Sequence, residues 1–436
     1  MIKKYERVVF LTLYTVKIGD TLYSVSRNFG VPAGLIAVWN AIPTPYTLVL
    51  GQCLLLLTPT ALYTVREGDT YDSVSARTGV DTRTLFANNP NLSGGSAPLY
   101  AGQTLVLSFA EKPYYTAEMT GYAYPFIETD VLYYSLPYIS ALIPFTYGFR
   151  ADGSLVPLDD ERLISAARSA GTSSLMHLST LTENGNFSAD RALALFESQS
   201  AQDTLIYNVE RTIKEKGYSG LDIDFEFIPG SAAADYAEFI SKLRARLSPL
   251  GYSVIAALAP KTRDDQPGVL YEGHDYALVG EAADAVLLMT YEWGYTYGPP
   301  MAVAPISAVR SVLDYAVSRI PPEKIYMGLP NYAYDWVLPY KQGYSRATSI
   351  GNDEAVDIAR RFGAEIKFDE AAKTPYFTYY DGGITHEVWF EDVRSMQEKF
   401  RLIKEYGFLG GGYWNVMRKF TQGFLLQNAT FALDKT

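Results

Sequence analysis

The chain has 436 residues, of which 48% are hydrophobic and 19% charged, and its net charge at pH 7 is −11. This length exceeds what one hydrophobic core usually supports, and the composition excludes an intrinsically disordered protein. The acidic balance disfavours nucleic acid as a partner, and the one cysteine, Cys53, excludes an intrachain disulfide and a multi-cysteine metal site. Because leucines flank Cys53, we expect its thiol to be buried as a small apolar group.

The start of the chain carries two lysines followed by the short apolar stretch 8–13. That stretch lacks a small-residue cleavage site before the next segment, so the sequence predicts no conventional secretion signal. Apolar runs elsewhere fall short of the ~18 residues needed to cross a bilayer, so we expect no membrane span.

An internal repeat organises the N-terminal quarter of the chain. The stretch 14–25 (YTVKIGDTLYSV) recurs as 63–74 (YTVREGDTYDSV), and each copy continues through a second apolar stretch to a closing Gly-Gln and a strand. Tyr-Thr-Val favours a strand, Gly-Asp a turn, and the following Thr can cap a helix. Each copy is therefore predicted to fold as strand, helix, helix, strand.

The period changes from residue 112 onward. Apolar β-type segments alternate with helical stretches at 160–170, 189–216, 232–247, 302–319 and 390–406. The β-type segments are 119–124, 141–147, 174–181, 220–228, 254–260, 285–293, 324–330 and 410–416. This α/β alternation predicts a (β/α)8 barrel. The long gap before the last segment predicts a small α+β insertion at about 331–390, between strands 7 and 8.

The fourth β-type segment carries the chemistry. Its acids, Asp222, Asp224 and Glu226, fall on one strand face. The other face is apolar and consists of Leu221, Ile223, Phe225 and Phe227. In a barrel the apolar face packs on helices, so the acids point inward and Glu226 lies nearest the C-terminal mouth. Crowded carboxylates raise one another's pKa, which suits a general acid. The alternatives are a solvated acidic strand and a divalent-cation site. A cation site needs ligands that converge on one point, and a row of acids on a single strand does not provide them.

The three histidines, His177, His274 and His386, are widely spaced and form no metal-ligand pattern. We therefore expect them to be structural and predict no metal site and no cofactor.

Two family resemblances follow from these motifs. Residues 13–58 and 62–108 resemble the LysM module. The run Ser219-Gly220-Leu221-Asp222-Ile223-Asp224-Phe225-Glu226 resembles the Asp-Gly-x-Asp-x-Asp-x-Glu signature of glycoside hydrolase family 18, with Ser219 in place of the first Asp. Gly121-Tyr122, Met289-Thr290-Tyr291-Glu292 and Gly412-Tyr413-Trp414 match family positions in order, although Glu292 replaces a more common Asp. The resemblance assigns residues 113–436 to a catalytic barrel, in which the first acid of the signature would lie deepest.

The resemblance implies roles for individual residues in a retaining, substrate-assisted hydrolysis. Glu226 would be the general acid and base, Asp224 would stabilise the substrate acetamide, Asp222 would tune Asp224, and Tyr291 would position the acetamido oxygen. Trp414 would form the floor beneath the sugar. The other expected substrate-binding residues are Tyr122, Met289, Glu292 and Trp293.

The resemblance further implies a ligand class and a setting. LysM modules imply binding of peptidoglycan or chitin-type N-acetylglucosamine glycans. The alternative is that the two modules are structural spacers without a ligand. The combination is most similar to spore-associated N-acetylglucosaminidases, which implies a β-1,4-directed enzyme of the spore coat, cortex or cell wall. A chitinase and a non-catalytic glycan-binding coat protein are the alternatives. The oligomeric state is not predicted.

Overall fold

The computed structural model describes residues 11–434. They form a closed parallel β/α barrel, two small modules ahead of it, and an insertion near its C-terminal end. The absence of a secretion signal was predicted from the chain start, and residues 1–10 of that start lie outside the described residues. None of the helices within 11–434 combines the length and apolarity that crossing a membrane requires.

Each N-terminal module has the predicted strand, helix, helix, strand order. Module 1 consists of β1 (Thr12–Thr15), α1 (Leu22–Phe29), α2 (Ala33–Trp39) and β2 (Cys53–Leu56). Module 2 consists of β3 (Pro59–Thr64), α3 (Tyr71–Thr78), α4 (Thr82–Asn88) and β4 (Thr104–Phe109). In both modules the two strands pair antiparallel and the helices pack on them.

The repeated Gly-Asp-Thr sequence closes the turn before the first helix of each module. Asp20 Oδ2 accepts the hydroxyl hydrogen of Tyr14 over 2.6 Å, and Asp69 Oδ2 accepts that of Tyr63 over 2.7 Å. Thr21 Oγ1 accepts a hydrogen bond from the third amide of α1, as predicted for a helix cap, and module 2 repeats this contact. The repeat in sequence is therefore a repeat in hydrogen bonding.

The remaining strands build the barrel and its additions. They are β5 (Tyr115–Ala123), β6 (Ala141–Pro144), β7 (Gly148–Phe149), β8 (Leu155–Val156), β9 (Ser173–Ser179), β10 (Gly220–Asp224), β11 (Ser253–Leu258), β12 (Ala285–Leu288), β13 (Ile325–Pro330), β14 (Ala333–Leu338), β15 (Thr348–Ile350), β16 (Lys367–Asp369), β17 (Thr374–Asp381), β18 (Ile384–Trp389), β19 (Gly410–Trp414) and β20 (Phe431–Leu433). Parallel pairing in the order β5, β6, β9, β10, β11, β12, β13, β19 returns to β5 and closes the barrel. Each predicted β-type segment overlaps one of these barrel strands, so the predicted fold class is confirmed.

Helices cover the outside of the barrel. They are α5 (Thr129–Ser135), α6 (Glu161–Ser169), α7 (Ala189–Phe196), α8 (Gln199–Lys216), α9 (Ala233–Leu247), α10 (Tyr276–Ala282), α11 (Ile306–Val317), α13 (Val393–Tyr406) and α14 (Thr421–Thr430), with α12 (Asn352–Phe362) in the insertion. The stretch 189–216, predicted as one helical segment, is two helices. Ser198 accepts a hydrogen bond from the amide of Ala201 and so starts α8 as a separate helix.

The insertion between β13 and β19 is an α+β unit, as predicted. Strands β14 to β18 form an antiparallel sheet in the order β15, β14, β18, β17, β16, and α12 packs on it. Phe377 and Phe390 are buried in its small core. The unit stands beside the C-terminal ends of β12 and β13, where it can contribute side chains to a site at the barrel mouth.

The N-terminal modules pack directly on the barrel. Gln422 of α14 is buried, and its side-chain amide donates to Asn40 Oδ1 and to the Cys53 carbonyl, each over 2.7 Å. Module 2 is joined through Arg83, whose guanidinium donates to the Ile139 carbonyl over 2.6 Å. Cys53 is buried in the shared core, as predicted, and burial raises the pKa of its thiol.

Candidate active site

The acids of the fourth barrel strand enter the barrel interior in the predicted alternation. Asp222 and Asp224 of β10 are buried on the inner face, and Glu226 lies beyond the strand end, half-buried at the mouth. Leu221, Ile223 and Phe225 point outward into the core between the strands and the helices. The alternation therefore places three carboxyl groups along one line that rises toward solvent.

Two details of the predicted strand are wrong. Phe227 was expected on the apolar face, but β10 ends at Asp224, and Phe227 has a left-handed φ of 60° and is 46% exposed. Ser219 was expected deepest, beneath the acids. It is exposed at the start of the strand, where its hydroxyl donates to the Ser174 carbonyl over 3.0 Å. Because side chains alternate along a strand, residue 219 cannot share the inner face of Asp222, so its replacement removes no support from the acids.

Close packing at the strand start depends on Gly220. A Cβ at this position would lie 2.6 Å from the Ser253 carbonyl oxygen of β11. Gly328 of β13 has the same role for the opposite wall, because a Cβ there would lie 2.7 Å from Cε1 of Tyr291. These two glycines let the strands and the Tyr291 ring approach closely.

Burial controls the protonation of the acids. Desolvation raises the pKa of Asp222 to about 7, against an ordinary value of 3.8, although the Tyr122 hydroxyl opposes the shift. Desolvation, followed by repulsion from Glu226 and Asp222, raises the pKa of Asp224 well above its ordinary value. Desolvation also raises the pKa of Glu226. The cluster therefore retains protons near neutral pH, as the crowded sequence predicted.

The structure brings His177, predicted to be structural, into the acid cluster. His177 of β9 pairs in register with Asp222, and its Nε2 lies 3.6 Å from Asp222 Oδ2 and 3.8 Å from Asp224 Oδ2. On its other side, Nδ1 lies 2.5 Å from Oγ1 of Thr146. Sequence spacing gave no signal for this contact, because it arises from the register between two strands.

His274 is structural, as expected, and it fixes the backbone beside Glu226. Its Nδ1 accepts from the amide of Ala259 over 2.8 Å, so Nε2 carries the hydrogen and donates to the Phe225 carbonyl over 3.0 Å. Tyr236 completes this anchor, since its hydroxyl accepts from the Phe225 amide over 3.4 Å. Both backbone groups of Phe225 are thus held.

A pocket of about 340 Å³ opens in front of Asp224 and Glu226. Every other predicted sugar-contacting residue lines it: Tyr122, Met289, Tyr291, Glu292, Trp293 and Trp414. Residues not predicted from sequence also line it, among them Tyr124, Phe145, Phe187 and Tyr271. Rings surround Trp414, with Phe145 at 5.0 Å and Tyr122 at 5.5 Å between centroids. The pocket thus combines an acidic side with aromatic walls, which suits the apolar face of a sugar ring.

Glu292 stands between this pocket and a second one. The second pocket, of about 400 Å³, shares Tyr124, Glu292 and Trp414 with the first. The Glu292 carboxylate accepts the hydroxyl hydrogens of Tyr332, over 2.5 Å, and of Tyr334, over 3.1 Å. Both tyrosines follow β13 at the edge of the insertion, and sequence reasoning did not include them. The two pockets therefore adjoin at the barrel mouth.

In the described part of the chain, no group of three or more His, Cys, Asp or Glu side chains is arranged to hold a metal ion. Asp222 and Asp224 instead face His177, whose Nε2 lies 3.6 Å from Asp222 Oδ2 and 3.8 Å from Asp224 Oδ2. The arrangement can store and transfer a proton next to a pocket of sugar size.

Comparisons with known proteins agree with this geometry. Residues 154–418 match Glycosyl hydrolases family 18, and residues 14–56 and 63–108 match the LysM domain. The chain is 38% identical to the cortical fragment-lytic enzyme of Bacillus subtilis over 302 residues, which are 69% of each protein. It resembles the crystal structure of the spore cortex-lytic enzyme SleL of Bacillus megaterium with a TM-score of 0.82, at 39% identity over 98% of this chain and 99% of that one.

The corresponding SleL structure of Bacillus cereus gives a TM-score of 0.83 at 34% identity, over 98% of this chain and 99% of that one. The agreement thus extends over the modules, the barrel and the insertion together. The chain belongs to glycoside hydrolase family 18 and carries two LysM modules ahead of its barrel.

Proposed function

We propose that this chain hydrolyses β-1,4 bonds at N-acetylglucosamine in peptidoglycan, and that spore cortex broken down in germination is its substrate. The observation that carries the proposal is the position of Glu226, half-buried at the pocket mouth in front of two deeper acids. The similarity of the chain to cortex-lytic relatives over the modules and the barrel supports peptidoglycan, rather than chitin, as the substrate polymer. We likewise propose a location in the spore or at the cell wall.

In the proposed reaction the substrate supplies the nucleophile, an exception to the two-carboxylate scheme. Glu226 gives its proton to the glycosidic oxygen while the 2-acetamido oxygen attacks C1, so the leaving chain departs and an oxazolinium forms. Asp224 accepts a hydrogen bond from the acetamido N–H. Water then attacks C1 and gives a proton to Glu226, which restores the acid and retains the anomeric configuration.

The remaining pocket residues position the sugar in this scheme. Tyr291, buried at the pocket wall, donates its hydroxyl to the acetamido oxygen. Burial and repulsion from Asp224 and Glu226 raise the pKa of Tyr291, so the hydroxyl keeps its hydrogen. Trp414 offers its ring face as the floor. Asp222 lies deeper in the barrel and raises the pKa of Asp224 by charge repulsion.

The substrate-assisted step has a direct chemical test. An oligosaccharide whose N-acetyl groups are replaced by trifluoroacetyl has a less nucleophilic carbonyl oxygen. If that oxygen attacks C1, kcat should fall by orders of magnitude as fluorine is added. An enzyme that uses a protein carboxylate as nucleophile would lose far less, so a small effect contradicts the scheme.

The choice of polymer is tested by comparing cortex fragments, vegetative wall and chitin under the same conditions. We expect cortex fragments to be cleaved with the highest kcat/KM, giving products that end in reducing N-acetylglucosamine. Faster cleavage of chitin would make the chain a chitinase. Absence of turnover on all three, with binding intact, would make it a glycan-binding coat protein. Retention of Glu226, Asp224 and Tyr291 together argues for turnover.

The two LysM modules are proposed to hold the same glycan beside the cleft. Module 1 contacts α14 through Gln422, and module 2 contacts the barrel through Arg83, which supports a fixed placement relative to the barrel rather than a loose tether. Pull-down of cortex by the Glu226→Gln variant tests this binding without hydrolysis.

A further inference from the structure

The second pocket, which adjoins the first at Glu292 and Trp414, contains an arginine that the proposed chemistry does not use. Arg418 lines this pocket of about 400 Å³, a volume within the range of small-molecule sites. Asn331, which directly follows β13, donates through its side-chain amide to the Arg418 carbonyl over 2.9 Å. Because β13 pairs with β19, the backbone that carries Arg418 is held against two neighbouring barrel strands.

The protein satisfies only part of the Arg418 guanidinium. Nη1 donates to Ser349 Oγ over 2.9 Å and to the Ile350 carbonyl over 2.7 Å, and Nη2 donates to the Ser349 carbonyl over 2.9 Å. The remaining N–H groups, on Nε and Nη2, have no hydrogen-bond acceptor among residues 11–434. No carboxylate of the described residues forms an ion pair with this guanidinium, and burial lowers its pKa. An anchored cation with free donors therefore faces the pocket.

The position of the second pocket identifies the sugar that it would hold. Glu226 lines the first pocket only, whereas Trp414, the proposed floor beneath the reacting sugar, lines both. A sugar in the second pocket is therefore joined to the reacting sugar on the side away from the acid and from the bond that is cleaved. Peptidoglycan alternates N-acetylglucosamine with N-acetylmuramic acid. When N-acetylglucosamine reacts, its neighbour in the second pocket is thus N-acetylmuramic acid.

We propose that Arg418 binds the 3-O-lactyl carboxylate of this N-acetylmuramic acid and so makes the enzyme selective for peptidoglycan over chitin. The inference rests on the proposed function. A carboxylate accepts charge-assisted hydrogen bonds from the planar N–H groups of a guanidinium. Chitin offers an N-acetylglucosamine at the same place, and this sugar carries only a hydroxyl where muramic acid carries the lactyl group. The arginine therefore distinguishes the two polymers by charge.

The other groups of the second pocket fit the rest of the same sugar. Glu292 also lines the pocket, and its carboxylate accepts two tyrosine hydroxyl hydrogens and forms no ion pair with Arg418. The pocket thus has an acceptor wall and a donor wall, which match the acetamido N–H and the lactyl carboxylate of N-acetylmuramic acid. Phe126 is exposed and stacks on Tyr124, with 5.1 Å between centroids and 24° between planes. These rings offer a flat apolar surface to a pyranose ring.

The test compares two tetrasaccharides of equal length. One is peptide-free and alternates N-acetylglucosamine with N-acetylmuramic acid, and the other is N-acetylchitotetraose. Arg418→Gln should lower kcat/KM on the muramic substrate about tenfold more than on the chito-oligosaccharide, because a charge-assisted hydrogen bond is lost. Arg418→Lys keeps the charge and should retain more of the preference than Arg418→Gln. As a control, Arg361→Gln removes an exposed charge of α12 outside both pockets and should keep the wild-type preference.

Binding gives a measurement that does not depend on turnover. Kd values for both tetrasaccharides, measured by calorimetry in the Glu226→Gln background, should show the same loss of preference in Arg418→Gln. If Arg418 only holds Ser349 and Ile350 of the insertion, its replacement changes both Kd values and both kcat/KM values by one common factor, and the inference is overturned. Turnover of cortex by the wild type would still support the proposed function in that case. A wild type without turnover would contradict the proposed function, and the Kd values would still decide the role of Arg418.

A modified substrate keeps the inference testable if Arg418→Gln does not fold. In this arm the wild type is assayed on the muramic tetrasaccharide after its lactyl carboxylates have been converted to neutral amides. The preference over N-acetylchitotetraose should then fall, because the charge that Arg418 binds has been removed. An unchanged preference would overturn the inference.

Discussion

Tyr122 donates a 2.8 Å hydrogen bond to Oδ2 of Asp222 and thereby links the first barrel strand to the fourth through the barrel interior. The bond stabilises the carboxylate and so lowers the pKa of Asp222, against the larger effect of burial. It therefore sets how firmly the deepest acid keeps its proton.

Replacing Tyr122 by Phe should raise the pKa of Asp222 further, because the stabilising donor to the carboxylate is lost. The limb of the kcat–pH profile that depends on Asp222 should move to higher pH, and stability should fall by about 1 kcal/mol. Kinetics between pH 5 and 9, together with urea unfolding, measure both effects. A profile that moves to lower pH would contradict the assignment.

Stability should itself depend on the charge of Asp222. The pKa of Asp222 is about 7 in the fold against an ordinary 3.8, so between these values the folded state binds more protons than the unfolded chain. Stability should therefore decrease as pH rises through this window, by at most about 4 kcal/mol at roughly 1.4 kcal/mol per pKa unit. Asp222→Asn should flatten this slope, so the gap in Tm between variant and wild type should grow in favour of the variant from pH 5 to pH 8. A gap that shrinks over this range would exclude a raised pKa.

Glu292 should govern substrate binding more than turnover. Tyr332 and Tyr334 hold its carboxylate where the two pockets meet. Tyr332→Phe should raise KM for long oligosaccharides several-fold and leave kcat nearly unchanged, because positioning of the carboxylate is lost while Glu226 is untouched. Tyr334→Phe, which removes the longer bond, serves as the matched comparison and should have a smaller effect. An equal loss of kcat in both variants would place Glu292 in the chemical step instead.

Module 1 and the barrel should unfold together in one cooperative transition. The buried side chain of Gln422 pairs with Asn40 and with the Cys53 carbonyl. Gln422→Ala removes both of these buried hydrogen bonds, at a cost of about 1–3 kcal/mol. Calorimetry should then resolve a transition for module 1 at a lower temperature than that of the barrel. As a control, Gln199→Ala on the surface of α8 should leave a single transition like that of the wild type; an early transition in both variants would argue against the role of this contact.

Much of the fold followed from local sequence patterns. The repeat around Asp20 and Asp69 predicted two similar modules, because the same short-range hydrogen bonds recur. The alternation from Leu221 to Phe225 predicted an acidic inner face, because a strand has a period of two. It failed at Phe227, where the strand has already ended and the backbone turns left-handed, a change that alternation cannot reveal.

The missed site residues depend on contacts between distant segments. His177 reaches the acids only because β9 and β10 pair in one particular register, and a single histidine carries no spacing pattern. Tyr332 reaches Glu292 because β12 and β13 are neighbouring strands and the two residues follow the C-terminal ends of these strands. The position of Ser219 could have been derived, since the period that placed Asp222 inward places residue 219 on the other face.

The proposed role of Glu226 as acid and base is tested most directly by Glu226→Gln, assayed on cortex fragments and on a chito-oligosaccharide. The substitution keeps the size of the side chain but cannot donate and recover the proton. We expect kcat to fall by at least about three orders of magnitude while Kd for the glycan and the unfolding temperature stay close to wild type. Near-normal turnover by Glu226→Gln on either substrate would contradict the account.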